Sequence, residues 1–398
     1  MKKQFKQFYH RMITLVSLTL LTSCFPQFPV DLYTDGKQKI EDTVMGIEDL
    51  GDDGCITNTN RSNDGDYSRP VTFIGIGDTQ FGDEIGGRDR QKMQVSALNF
   101  LPETPFDSSR TENGTELELS PIRGLIMAGD ITHNGRDGRG FEQNEYGRFT
   151  DLFGLCGNKD LNYPIYEGYG NHDYYIWSNF LYGYSSTSRM HPVVDSVARR
   201  NPKRPGVIKT AKDRDGHYSF EWGQFHFVQL NLAPANEFYN NGIVGNLDPR
   251  DALVFLKEDL EENVRGTNKH VIIISHYGYE LNTGNSDLSD DWAGTDQWDE
   301  FASIIASFNI VALLHGHAHS TSNKRFEGFP VFNLGSSYYE RYNVDQKGHF
   351  TVFHAENNQL IISDVSWTPT EVPVIEFPGN WCKIIQLDDK GSPDITSC

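Results

Sequence analysis

Five apolar runs in this chain end on metal-ligating types of residue, and that repetition constrains the fold more than any other feature. They are VTFIGIGD (71–78), IRGLIMAGD (122–130), YPIYEGYGNHD (163–173), HVIIISH (270–276) and IVALLHGHAH (310–319). Short, near-continuous aliphatic runs of this kind read as strands buried on both faces. Amphipathic stretches lie between them at 91–101, 141–153, 250–264 and 296–308. The alternation predicts an α/β architecture with helices flanking a buried sheet. Ligand sites in open α/β sheets lie beyond the carboxyl ends of the strands. The five runs therefore bring Asp78, Asp130, Asn171, His172, His276, His317 and His319 to one rim.

Carboxylate oxygen with neutral imidazole nitrogen is a donor set that suits zinc, iron, manganese or nickel. Two such metals about 3.5–4 Å apart, bridged by one carboxylate, can orient a phosphoryl group and activate water for in-line attack, with no Ser or Cys nucleophile. A buried histidine is costly unless its ring nitrogens find partners, so the three imidazoles within LLHGHAHS (313–320) need a common one. A zinc peptidase would carry a His-Glu-x-x-His segment, and the chain has none.

Taken in order, Gly77-Asp78-Thr79-Gln80, Gly129-Asp130, Gly170-Asn171-His172-Asp173, Ser275-His276 and Gly316-His317-Ala318-His319 resemble the signature of the calcineurin-like metallophosphoesterases over roughly residues 70–366. His217–Leu232, HYSFEWGQFHFVQLNL, also resembles the paired strands between that family's third and fourth motifs. The resemblance implies a two-sheet β-sandwich flanked by helices, with a dimetal site at the carboxyl ends of the strands. It implies two divalent or trivalent metal ions (Fe, Mn or Zn). Asp78 and His319 would hold one, Asn171, His276 and His317 the other, and Asp130 would bridge them. His172 would stand beside the metals as the catalytic acid that protonates the leaving oxygen, a role suited to imidazole.

The sequence departs from that pattern at Gln80, where the commoner form has histidine; a glutamine carbonyl can ligate a hard metal but is the weaker donor. His133, three residues after Asp130, stands where purple acid phosphatases place a ligating tyrosine, and is either a replacement ligand or a loop residue. His315 has no role in the pattern and reads as a strand histidine or one behind the ligands. Asp173 follows the acid histidine, where a carboxylate could fix the imidazole tautomer. Arg136 and Arg139 either meet substrate phosphate or are solvated. The aromatic-rich stretch from Tyr166 to about 186 forms either a substrate wall or core. Asn231 and the turn near Asn240 carry no assignable chemistry.

The ends add a destination. Lysines and Arg11 precede an apolar stretch from Met12 to Leu21, too short to span a membrane and typical of a secretory signal. Leu21-Thr22-Ser23-Cys24 resembles a bacterial lipobox, which makes Cys24 a lipid attachment site. The expected divisions are a signal peptide at 1–23, a lipid-anchored acidic flexible tether at 24–69, a catalytic domain at 70–366 and a C-terminal extension at 367–398. The tether is rich in Asp, Asn and Gly and poor in aromatics. The formal charge is −20, and Lys2, Lys3, Lys6 and Arg11 all lie before Cys24, so the remainder is more acidic still. Such a surface repels nucleic acid. Cys55, Cys156, Cys382 and Cys398 allow two disulfides in three pairings.

These readings predict an exported enzyme that is anchored to the cell envelope, with the outer membrane preferred. It would hydrolyse phosphate esters with a hydroxide held between two metals. A phosphomonoesterase, a phosphatase or nucleotidase, is preferred to a phosphodiesterase acting on lipid headgroups or cyclic nucleotides. A surface lipoprotein that binds without catalysis is the other class. The partners are a small phosphate ester or lipid headgroup and the membrane itself; no protein partner can be inferred.

Overall fold

The computed structural model describes residues 70–82, 87–103, 121–136, 144–174, 192–211, 216–237, 248–279, 295–337, 347–368, 373–377, 382–387 and 395–397. All of them lie in one compact unit, 54–398. The expected signal peptide, lipobox, tether, Arg139, Asn240, Cys55 and Cys398 fall outside the described residues.

In chain order the strands are β1 (Val71–Ile76), β2 (Ile122–Met127), β3 (Ile165–Glu167), β4 (Val207–Thr210), β5 (Tyr218–Trp222), β6 (Phe225–Gln229), β7 (His270–Ile274), β8 (Ile310–His315), β9 (Thr321–Phe326), β10 (Phe329–Leu334), β11 (Gly348–Glu356), β12 (Gln359–Thr368), β13 (Val374–Glu376), β14 (Cys382–Gln386) and β15 (Ile395–Ser397). The helices are α1 (Gly87–Phe100), α2 (Glu145–Leu152), the one-turn α3 (Asn171–Tyr174), α4 (Pro192–Arg200), α5 (Ala252–Asn263) and α6 (Thr295–Ile305).

Two mixed sheets result. The first, with 8 strands among the described residues, runs β15-β14-β12-β11-β1-β2-β3, with β13 beside β12; the second, with 7, runs β4-β5-β6-β7-β8-β10-β9. The parallel pairs are β1–β2, β2–β3, β6–β7, β7–β8 and β8–β10. Period-2 alternation divides each strand between two cores. In β1, Val71 and Phe73 join Phe220, Trp222, Phe227, Ile272 and Phe353 between the sheets, while Ile74 and Ile76 join the helix-facing layer with Val95, Leu98 and Phe149. Both faces are buried, which is why these strands read as continuous apolar runs.

The expected paired strands in 217–232 are the antiparallel hairpin β5–β6. Helix α5 starts later than the amphipathic pattern suggests because Arg250 and Asp251 sit at φ 57° and 56°, outside helical space. Helix α2 starts at Glu145, where Asn144 Oδ1 accepts from Gly147 N at 2.6 Å as its N-cap. The junction expected at 366/367 falls within β12, and β14 and β15 continue the first sheet beyond it.

Candidate metal centre

Where β1, β2, β7 and β8 end, backbone bonds continue the pairing within each sheet, and the one from Ser337 to Gly77 joins the two sheets. Ser337 N bonds to Gly77 O (3.0 Å), Ala128 N to Ile76 O (2.9 Å), Gly316 N to His276 O (3.1 Å) and Ser275 N to Leu314 O (3.0 Å). The residues that follow leave the sheets through a left-handed backbone. Asp78 (φ 51°), Gln80 (41°), Asp130 (53°), His317 (70°) and His319 (54°) all adopt it although none is glycine. Non-glycine residues resist this region, and such outliers cluster at sites that need a side chain aimed in one direction. Two glycines make room. A Cβ on Gly129 (φ 86°) would lie 2.6 Å from His276 Nδ1, and one on Gly170 would strike the Asp130 carboxylate.

The donors converge. One ligand atom each from Asp78, Asp130 and His319 lies within 4.8 Å of the other two, and His319 Nε2 is 3.2 Å from Asp78 Oδ1. Beside them, His276 Nε2 is 2.8 Å from Asn171 Oδ1, 3.3 Å from His317 Nδ1 and 3.3 Å from Asp130 Oδ1. His276 Nδ1 lies 2.9 Å from the Ala128 carbonyl. A ring that donates Nδ1–H there presents the Nε2 lone pair to the site. That lone pair then faces an amide oxygen, a carboxylate and a second imidazole, a crowd of acceptors that a cation reconciles. Burial, reinforced by the neighbouring His276, holds His317 well below the ordinary histidine range, so it is the neutral imidazole a metal requires. Burial alone would raise Asp130, yet the imidazoles of His276 and His172 bring it down to about 2. The residues present fit two metal ions with Asp130 central to both groups.

Gln80 reaches the same place. Its side-chain nitrogen lies 3.3 Å from Asp130 Oδ2 and 3.2 Å from His319 Nε2. His172 is partly exposed, and its backbone N–H donates to Asp130 Oδ1 at 2.9 Å. Its Nδ1 lies 2.7 Å from the His133 carbonyl, and its Nε2 faces Asp130 Oδ2 at 3.9 Å. Burial would lower His172, but the Asp130 charge and the His133 carbonyl leave it raised above the usual value.

His133 stands against His172, ring centroids 5.4 Å apart, and is outside the Asp78–Asp130–His319 group. Asp173 turns its carboxylate to the backbone that follows Asp130. Its carboxylate accepts from Ile131 N, Thr132 N, Thr132 Oγ1 and Gly170 N at 2.7–3.1 Å. Burial and the Asp130 charge push Asp173 up to about 6. His315 closes β8 with Nδ1 3.0 Å from Gly316 O, packed on Tyr279. Arg136 is held by its backbone N–H, which reaches Glu145 at 3.4 Å. Tyr166, Tyr169 and Tyr174 of the aromatic-rich stretch are buried in the core.

Two residues received no role from the sequence. Asn231, buried at φ 56°, accepts the His276 backbone N–H on its carbonyl at 2.5 Å, while its side chain accepts from Tyr169 N. It stands just past β6, so the strand-end rule that found the other residues applies to it too. Tyr277 packs its ring on His317 (4.5 Å) and His276 (5.5 Å).

A plant protein of Arabidopsis thaliana named "Probable inactive purple acid phosphatase 9" is 22% identical over 189 residues, 42% of this chain and 27% of that protein. The chain thus spans about a quarter of that relative's length. Among solved structures, PhoD is similar at TM-score 0.49 and 12% identity, covering 82% of this chain and 72% of PhoD. GAP50 of Plasmodium is similar at TM-score 0.43 and 11% identity, covering 82% and 89%. The calcineurin-like phosphoesterase pattern matches residues 71–321, more than half of the sequence. On that match, the chain belongs to the calcineurin-like phosphoesterase family.

Proposed function

We propose that this protein hydrolyses phosphate monoesters outside the cytoplasm, as a phosphatase or nucleotidase. The observation that carries the reading is the convergence of Asp78, Asp130 and His319 beside His276, Asn171 and His317, with His172 at their edge. Asp78, His319 and Gln80 would hold one metal and Asn171, His276 and His317 the other, with Asp130 between. When bound, the metals supply Lewis acidity to the phosphoryl oxygens and lower the pKa of water.

The chain itself does the rest. Asp130 keeps a negative charge fixed at the centre of the imidazoles. His317 Nδ1 and His276 Nε2 turn toward each other at 3.3 Å, and Tyr277 packs against both rings. His172, with Nδ1 against the His133 carbonyl, carries its transferable proton on Nε2 and delivers it to the leaving oxygen as the P–O bond breaks.

The name of the matched plant relative, a purple acid phosphatase, favours monoesters over the alternative of diesters such as lipid headgroups or cyclic nucleotides. The same name includes "inactive", and Gln80 replaces a stronger donor; those two observations favour a second reading, a lipoprotein that binds without turnover. The lipobox-like Leu21–Cys24 supports export and a lipid anchor, and Phe25, in place of an aspartate that retains lipoproteins in the inner membrane, favours the outer membrane. Cys156 and Cys382 each take part in a disulfide, which suits an oxidising compartment.

The test compares nitrophenyl phosphate with bis-nitrophenyl phosphate, using metal-loaded protein and its His172→Ala variant. The monoester should be preferred, and the variant should lose on the order of 10²- to 10⁴-fold in kcat with unchanged metal content. Preference for the diester would select the alternative. No turnover by protein holding two metals would select the binding lipoprotein.

A further inference from the structure

The six residues after Asp130 have every backbone N–H committed. Ile131 and Thr132 donate to the Asp173 carboxylate at 3.1 and 2.9 Å. His133 donates to Phe81 O at 3.0 Å. Asn134 and Arg136 donate to Glu145 Oε2 at 2.8 and 3.4 Å, and the Asn134 side-chain amide donates to Glu145 Oε1 at 3.1 Å. Gly135 donates to Thr132 Oγ1 at 3.1 Å. A surface turn needs none of this, because water would satisfy it. Here two fully buried carboxylates from different helices, Glu145 of α2 and Asp173 of α3, grip one short segment from both ends. Burying a carboxylate is unfavourable unless N–H and O–H donors surround it, so the arrangement needs a reason.

What the segment holds still is His133. Its carbonyl oxygen lies 2.7 Å from His172 Nδ1 and its ring stacks on that of His172, centroids 5.4 Å apart at 28°. Asp173, the next residue after His172, also grips Ile131 and Thr132, so the imidazole and the carbonyl that faces it are referred to one carboxylate. Gly82 lets the neighbouring loop close on this unit; a Cβ there would come 3.0 Å from His133 Cβ and 3.3 Å from Glu145 Oε1.

We propose that Glu145 and Asp173 are positioning residues that act through the His133 carbonyl to fix the tautomer and aim of His172. The proposal rests on the reading of His172 as the acid. The Nδ1–H bond stays intact and donates to the His133 carbonyl. The Nε2–H bond breaks, its proton goes to the ester oxygen, and the P–O bonding pair remains on that oxygen. Water supplies the oxygen that joins phosphorus, and Nε2 regains a proton from solvent. Fixing which nitrogen exchanges, and where it points, is what a second group does for an imidazole in acid–base catalysis.

The experiment uses the full chain with Glu145→Ala, Glu145→Gln, His172→Ala and the Glu145→Ala/His172→Ala double variant, assayed on two monoesters. Phenyl phosphate has a poor leaving group that needs the proton, and 2,4-dinitrophenyl phosphate leaves without it. Glu145→Ala should lower kcat on phenyl phosphate by roughly a hundredfold, with KM and metal content unchanged and dinitrophenyl phosphate little affected. Glu145→Gln, whose amide oxygen still accepts, should recover most of the loss. The double variant should be no slower than His172→Ala.

Equal loss on both esters, or additive loss in the double variant, would overturn the proposal. ¹⁵N NMR of the wild-type histidine rings decides independently, including where Glu145→Ala fails to fold, with His172 identified from its absence in the His172→Gln spectrum. Neutral His172 should carry its proton on Nδ1, and an Nε2–H ring would overturn the proposal. Wild-type protein that turns over neither ester yet shows Nδ1–H would sink the enzyme reading and leave the positioning intact.

Discussion

Gln80 occupies the side of the centre shared by Asp78 and His319, with its side-chain nitrogen 3.3 Å from Asp130 Oδ2 and 3.2 Å from His319 Nε2. An amide is a poorer ligand for a borderline metal than imidazole, so the two metals should bind unequally. Gln80→His should tighten the weaker one by roughly tenfold, about 1.4 kcal/mol, in a chelator-competition titration followed by metal analysis. An unchanged affinity would mean that residue 80 does not approach the metal. The residues that converge around it were legible because each is a polar residue at the point where an apolar run stops. Asn231 obeyed the same rule and was overlooked because its work, bracing His276 and Tyr169, is done largely through backbone groups that no motif records. For Asp173, adjacency to His172 in the sequence left the geometry open. Successive residues of a helical turn point in different directions and do not face each other, so a carboxylate next to His172 in sequence turned to the 131–132 amides instead.

Among the elements, β3 and α4 are joined by charge inside the protein. Glu167, the last residue of β3, is fully buried and pairs with Arg204, and with Arg200 at 3.1 Å. Arg200 ends α4 and also donates to Phe153 O at 3.2 Å, while Arg204 donates to Ile165 O at 2.6 Å and lies over the Tyr218 ring. Burial would raise Glu167, but the two guanidinium groups hold it below the ordinary carboxylate value. Removing the charge strands two buried cations, and breaking a buried pair from one side costs about 3–5 kcal/mol. Glu167→Gln should lose that much in urea denaturation, with an unchanged m-value. A loss under about 1 kcal/mol would mean that the pair is screened as at a surface. Nothing in the pattern of either element announced this contact, because Glu167, Arg200 and Arg204 are ordinary surface residue types until the tertiary fold covers them. The sandwich strands were legible from their continuous apolar runs. The short β13, β14 and β15 were not, since strands of 3 to 5 residues show too little periodicity.

For the whole molecule, buried histidines of opposite sign shape stability against pH. His226 of β6 lies between Glu221 of β5, 3.1 Å from Nδ1, and Asp259 of α5, 2.7 Å from Nε2. Ser219 donates to the same Asp259 carboxylate, and Lys269, just before β7, pairs with Glu221. Burial would lower His226, but the two carboxylates outweigh it and its pKa is raised above 6.5. A base with a raised folded pKa contributes stability that is fully present below its unfolded pKa of about 6.5 and is lost as pH climbs through the folded value. His217 and His270 run the other way. Burial lowers each to about 4, so the folded state binds their protons less readily than the unfolded chain does. Their neutral forms suit the folded state, and stability is lost as pH falls from about 6.5 toward 4. The two limbs together predict a maximum near pH 6.5 in thermal denaturation of metal-free protein, with Tm falling on both sides. His226→Gln should flatten the alkaline limb above pH 6.5 and leave the acid limb in place. An alkaline limb that persists unchanged in the variant would show that His226 is neutral in the fold, and the carboxylate pair around it would then need another cation.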